Sequence, residues 1–186
     1  MEKVLIIIDM QTDFIDGALG SPAAQAILPK VCEKIKNWDS KHLIYTLDTH
    51  EAEFYFNTEE GKRIPQHCLY TKSGWYLHDD IQHALTEYEN KPPYPTIKCV
   101  AKDTFGSINE LPAQVEALIP NNPFEIHICG LCTDICVISN ALILRAAFPY
   151  AKIVIDAQCC AGTTPEQHQA ALNVMKACCI EVINEN

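Results

Sequence analysis

The stretch HICGLCTDICVISNALILRA, residues 127–146, places Cys129, Cys132 and Cys136 within eight residues. Thiols this close can clip a metal, form a redox pair, or include one nucleophile. A structural zinc clip usually pairs two C-x₂₋₄-C knuckles, and the later doublets Cys159–Cys160 and Cys178–Cys179 lack that spacing. A C-x-x-C redox motif opens a helix with its first cysteine, whereas Cys129 falls inside an apolar, strand-like run. Cys136 differs from both. It stands near the start of a segment of good helical composition, where free N–H groups and the helix dipole favour thiolate and can stabilise an oxyanion. A depressed thiol pKa is therefore expected at Cys136. Asp134 or Thr133 is expected to cap the helix.

Other reactive side chains also follow apolar runs. Asp9 closes VLIII, where a carboxylate is costly unless paired. Asp48 and His50 follow HLIYTL, and Lys102 follows TIKCVA. Lys102 is the natural counter-charge of Asp9. Taken singly, each has an ordinary reading: a turn aspartate, a polar loop histidine, a solvated lysine. Together they supply carboxylates, an imidazole, an ammonium and a thiol, which is the set that nucleophilic acyl chemistry needs.

The elements that must position them follow from hydrophobic patterning. Strands are expected at 4–9, 42–48, 96–101, 125–130, 152–157 and 180–184. Several are β-branched and nearly continuous, as in a parallel sheet buried on both faces. Helical patterns fill AAQAILPKVCEKIKNW, TDICVISNALILRAAF and PEQHQAALNVMKACC, and Thr164 before Pro165 reads as an N-cap with proline at N1. The expected fold is a doubly wound α/β domain, mainly parallel, with helices on both faces. Ligands bind such a sheet beyond the carboxyl ends of its strands, where Asp9, Asp48, His50, Lys102 and Cys136 fall. One domain is expected over 1–186, with 50–95 as a long functional loop rich in aromatics, histidines and turn residues.

Composition narrows the partners. A formal net charge of −10 argues against nucleic acid and anionic membrane surfaces. The opening MEKVLIIIDMQTDF has a short apolar run ended by Asp9 and no small-residue cleavage site, so a first strand and a cytoplasmic location are expected. The ten cysteines are then mostly reduced. Cys32, Cys99, Cys129, Cys159, Cys160, Cys178 and Cys179 lie in apolar segments and are expected to fill core.

Three blocks, IIIDMQTDF, AKDTFGS at 101–107 and GLCTDICV at 130–137, resemble the signatures of the cysteine hydrolases of the nicotinamidase/isochorismatase family. The likeness spans essentially the whole chain. It implies a six-stranded parallel sheet and a catalytic triad of Asp9, Lys102 and Cys136 acting through a thioester. It implies a cis peptide at Leu131–Cys132, with the backbone N–H groups of Cys132 and Cys136 as an oxyanion hole. Asp48-x-His50 and the IPQHC segment with His67 resemble the metal motif of the nicotinamidases, with Glu60 as a possible further ligand. The implied cofactor is a divalent metal, zinc first, with iron or manganese as alternatives. The implied substrate is a small carboxamide, nicotinamide first, with another small amide or carbamoyl compound as the alternative. A non-catalytic metal- or thiol-binding protein on the same fold is the other reading. The likeness further implies a homo-oligomer. Phe14 takes the place of one ring-stacking residue, and Ile64 stands where nicotinamidases typically carry tryptophan. Trp75 or Tyr70 is the candidate to compensate.

Overall fold

The computed structural model describes residues 1–120 and 123–185. Six strands form one sheet: β1 Glu2–Ile8, β2 His42–Asp48, β3 Thr96–Lys102, β4 Phe124–Leu131, β5 Lys152–Ala161 and β6 Glu181–Ile183. Their order is β3-β2-β1-β4-β5-β6, and every pair is parallel. The helices are α1 Thr12–Ile15, α2 Pro22–Lys36, α3 Asp79–Glu89, α4 Glu110–Leu118, α5 Ile138–Ala147 and α6 Pro165–Ala177. Among the described residues no helix is long and apolar enough to cross a membrane.

The continuous aliphatic runs lie at the centre of this sheet. Val4, Leu5, Ile6, Ile7 and Ile8 of β1 are all fully buried, as a strand covered on both faces requires. Strand order reverses between β1 and β4, so the crevice at the carboxyl ends opens there. At that edge Gly130 pairs with Ile8 and has φ +127°. A Cβ on Gly130 would lie 2.1 Å from the Ile8 carbonyl oxygen, so only glycine fits this close approach.

The structure corrects several expectations. The 50–95 segment is not one loop, because α3 occupies Asp79–Glu89. Its stripe of Ile81, Ala84, Leu85 and Tyr88 has helical spacing and is buried. α4 likewise leaves little trace in the sequence, because it buries only Leu111 and Val115. β5 runs on to Ala161 and takes Cys159 and Cys160 into the core. Cys129 is also core. Cys99 and Cys179 are instead exposed. Cys99 lies on β3, an edge strand with one uncovered side, and Cys179 sits in a turn beyond α6 with φ +61°. Thr164 does cap α6, its Oγ1 accepting from the Gln167 N–H.

Candidate active site

Asp9 is the first residue beyond β1 and is fully buried. It has φ +47°, a left-handed turn that aspartate tolerates better than most side chains. Thr46 of β2 holds it in place. The Asp9 N–H donates to Thr46 Oγ1 at 3.1 Å, and that hydroxyl donates to Asp9 Oδ1 at 2.5 Å. Asp9 Oδ2 lies 2.7 Å from Lys102 Nζ as an ion pair. A carboxylate oxygen carries more than one lone pair, so Oδ2 can still accept a proton beside this ammonium.

Lys102, the last residue of β3, is buried between three partners. Besides Asp9, its Nζ lies 3.1 Å from Asp48 Oδ1 and donates to Cys136 Sγ at 3.6 Å. Burial disfavours the ammonium, but Asp9, Cys136 and Asp48 outweigh it and hold Lys102 protonated well above the usual lysine range. Burial raises the Asp9 carboxyl, with Asp48 adding to the rise and Lys102 opposing it.

Cys136 lies on a single π turn, Thr133–Val137, between β4 and α5. Its burial contradicts the depressed thiol expected from a helix N-terminus. Burial pushes the Cys136 thiol well up; Lys102 lowers it, while Asp9 and Asp48 raise it further. Desolvation of the thiolate outweighs the helix end and the single ammonium. Neither Thr133 nor Asp134 caps this turn, again unlike the expectation. Thr133 Oγ1 bonds His168 Nδ1 at 2.8 Å, and the Asp134 carboxylate turns to the β5–α6 loop. The Leu131–Cys132 peptide immediately before the turn is cis.

Next to this trio, Asp48, His50, Glu60 and His67 each offer one ligand atom, all within 4.8 Å of one another. Asp48 Oδ2 lies 2.8 Å from His50 Nε2 and 3.1 Å from His67 Nε2, and Glu60 Oε1 lies 3.5 Å from each imidazole. Two buried imidazoles and two carboxylates are a donor set that fits a divalent cation of the zinc, iron or manganese kind. His67 Nδ1 lies 2.9 Å from the Pro65 carbonyl oxygen, so a proton there leaves Nε2 free to ligate. Burial disfavours the His50 imidazolium, but hydrogen bonds to Asp48 and Glu60 outweigh it and raise His50 to about 9. Burial raises the Asp48 carboxyl, but hydrogen bonds from His50 and His67 and the charge of Lys102 bring it well below the carboxylate range.

A cavity of about 370 Å³ joins the two clusters. Cys136 and Cys132 line it beside Asp48, Glu60 and His67, and Phe14 and Ile64 form part of its apolar wall. Phe14 meets the His67 ring edge-to-face at 5.2 Å between centroids. Trp75 and Tyr70 do not line this cavity. They pack on each other at 5.0 Å, and Trp75 Nε1 donates to Thr49 Oγ1, so neither replaces the missing ring. Phe105, from the loop after β3, lines the cavity instead.

A family model described as the Isochorismatase domain matches residues 3–186. The chain belongs to this family. A curated relative from Bacillus subtilis (strain 168), described as the uncharacterized isochorismatase family protein PncA, is 28% identical over 181 residues, 93% of each chain. The crystal structure of nicotinamidase PncA from Bacillus subtilis is 26% identical at a TM-score of 0.77, covering 98% of this chain and 99% of that one. The pyrazinamidase of Pyrococcus horikoshii, solved in complex with zinc, is 25% identical at a TM-score of 0.77, with all of each chain covered.

Within this isochorismatase domain, two supporting residues leave little trace in the sequence. Gln11 is fully buried and clamps both backbone groups of Asp48: Oε1 accepts from its N–H at 2.7 Å, and Nε2 donates to its carbonyl at 2.9 Å. Asn140 ties the Cys136 turn to the loop after β3, donating to the Cys136 and Phe105 carbonyls at 2.8 and 3.0 Å. Both are amides within otherwise explicable segments. The signal for Gln11 was its place two residues after Asp9; Asn140 gave only its polarity within VISNALIL.

Proposed function

We propose that the chain is a cysteine-dependent amidohydrolase that cleaves a small neutral carboxamide, nicotinamide first, to the carboxylate and ammonia. The observation that carries this reading is the buried contact of Lys102 with both Asp9 and Cys136, with Cys136 itself at the wall of one cavity. The solved nicotinamidase and pyrazinamidase relatives support it. So does the cavity's charge. Among the described lining residues there is no lysine or arginine, while Asp48 and Glu60 are acidic, so a neutral substrate is favoured over one carrying a carboxylate.

In this reading Asp9 removes the Cys136 proton as Sγ attacks the amide carbon. The raised carboxyl of Asp9 suits the task, since a base closer in pKa to the thiol makes the transfer less uphill. Lys102 balances the charge that moves between them. The N–H groups of Cys132 and Cys136 are the candidate donors to the oxyanion. Collapse breaks the C–N bond, Asp9 returns the proton, and ammonia leaves a thioester on Cys136. Water, deprotonated by Asp9, then cleaves the thioester, and the thiol is restored.

Asp48, His50 and His67, with Glu60, would hold a divalent metal, zinc by preference for this donor set. Bound there, it would act as a Lewis acid beside the substrate. Phe14, Ile64 and Phe105 would hold the acyl group.

The test is ammonia release from nicotinamide by wild type and Cys136→Ala. Release by wild type that is lost in the variant supports the reading. Equal background from both sinks it, and a panel of small amides and carbamoyl compounds then finds the substrate within the class.

A further inference from the structure

We propose that Asp134 is a positioning residue that sets the size limit of the cavity: by pinning Thr163 it holds the β5–α6 loop as a wall beside the turn that carries Cys136. Gly162 and Thr163 of that loop both line the cavity. Neither belongs to a helix or a strand, so contacts from the neighbouring turn help to fix the wall between the end of β5 and the start of α6.

Asp134 does this from the same π turn as the candidate nucleophile, two residues before it. Its Oδ1 accepts the Thr163 N–H at 2.9 Å, and its Oδ2 accepts the Thr163 hydroxyl at 2.5 Å. One carboxylate thus holds both a backbone and a side-chain donor of one wall residue. Charge-assisted hydrogen bonds of this kind are among the stronger ones. A second pin acts in parallel. Thr133 Oγ1, fully buried on the same turn, bonds His168 Nδ1 of α6 at 2.8 Å.

The seat is tight as well as bonded. A Cβ on Gly162 would lie 2.9 Å from Asp134 Oδ1 and 2.8 Å from the His168 Cβ. Glycine lets the loop lie directly on these two side chains, and any side chain there would push the wall outward or the turn inward. The loop and the turn that carries Cys136 are thereby tied together, and Asp134 adds to the Leu131–Ala161 strand pairing in setting the space between Cys136 and Gly162–Thr163. A wall held this way rejects acyl groups too large for it by rigidity, and it loses that selectivity when the pin is cut.

This inference rests on the proposed reading of the cavity as the substrate site, so its test does not require turnover. Peptide-resolved mass spectrometry follows alkylation of Cys136 by iodoacetamide and by its bulkier N-phenyl analogue, in wild type, Asp134→Ala, Asp134→Asn and Thr163→Val. The ratio of the bulky to the small reagent's rate should rise about tenfold in Asp134→Ala and about threefold in Thr163→Val, which keeps the backbone bond. Asp134→Asn, whose amide still serves both Thr163 groups, should stay within about twofold of wild type. With nicotinamide, Asp134→Ala should raise KM about tenfold and leave kcat within about threefold. A ratio within about twofold of wild type in a folded Asp134→Ala overturns the proposal, as does Asp134→Asn shifting it equally. If Asp134→Ala fails to fold, Thr163→Val decides the matter: a ratio equal to wild type overturns the proposal. If wild type itself does not hydrolyse nicotinamide, the proposed substrate fails while the alkylation ratios still judge Asp134.

Discussion

Asp48 and Lys102 share one carboxylate contact that joins two charge clusters: Asp48 Oδ1 lies 3.1 Å from Lys102 Nζ, while Asp48 Oδ2 faces His50 and His67. They are also register partners across β2 and β3, so the sheet itself fixes the pair. Lys102 is thereby enclosed by Asp9, Asp48 and Cys136, with its charge fully used.

Lys102→Met should therefore cost more than activity. It leaves Asp9 and Asp48 buried together without their cation, and breaking a buried pair typically costs about 3–5 kcal/mol. Chemical denaturation should show a loss of that order. Asp9→Asn, which removes a charge but keeps the shape, should lose less stability and yet reduce kcat by at least about a thousandfold if Asp9 is the base of the proposed reaction. Comparable stabilities for wild type and Lys102→Met would show that the ion cluster is not what holds the strand ends together.

Proton release should accompany metal binding. The metal-free His50 is raised to about 9, so near pH 7 it is largely protonated. A metal needs the neutral imidazole. Apparent affinity for zinc should thus rise with pH through the neutral range and level off above about 9. In the metal-free protein the same shift carries a stabilising contribution that is full below the unfolded histidine value of about 6.5 and is lost as pH rises through about 9. Calorimetric titrations in buffers of different ionisation enthalpy would count the protons. A zinc affinity independent of pH between 6 and 9 would remove His50 from the ligand set.

Much of this arrangement was written in the sequence. The aliphatic runs of β1 and β4 announce buried parallel strands, and reactive residues just after such runs must meet at the crevice. What was not legible came from burial and from distant partners. The thiol of Cys136 looks activated when only its helix is considered; its desolvation depends on Lys102, Asp9 and the cavity wall, which come from other elements. α3 was hidden by polar and proline-rich neighbours, although its stripe of Ile81, Ala84, Leu85 and Tyr88 has the right period. Phe105 and Thr163 lie in loops whose sequence carries no periodicity, so only folding shows that they meet at one cavity.

The raised thiol makes its own forecast. Without substrate or metal, alkylation of Cys136 by iodoacetamide should climb about tenfold per pH unit through neutrality, with no inflection below pH 9. The thiol is protonated at rest because burial opposes the thiolate. Rates measured on the Cys136 peptide from pH 6 to 10 test this. An inflection near pH 6 would mean that Lys102 outweighs desolvation.

Ile64 should limit the grip on an aromatic ring. An aliphatic wall forgoes stacking worth about 0.5–1.5 kcal/mol. Ile64→Trp should lower KM for nicotinamide by about two- to tenfold, with kcat little changed, since the stacking acts on ground and transition states alike. An unchanged or raised KM in the folded variant would mean that the ring lies elsewhere, against Phe14 and Phe105.

His42 lies remote from the cavity. It is buried on β2, and among the described residues neither ring nitrogen finds a hydrogen-bond partner. Burial lowers its pKa, with Lys41 adding to the fall and Glu2 opposing it. A histidine that binds its proton more weakly when folded destabilises the protein as pH drops below the unfolded value of about 6.5. His42→Leu removes two unpaired nitrogens and should gain about 1–2 kcal/mol at pH 7.5. The gain should be larger at pH 5.5, where wild type must also resist protonation of the ring. Urea denaturation at the two pH values reads both effects, and a gain that does not grow on acidification would show that the ring is already satisfied by solvent.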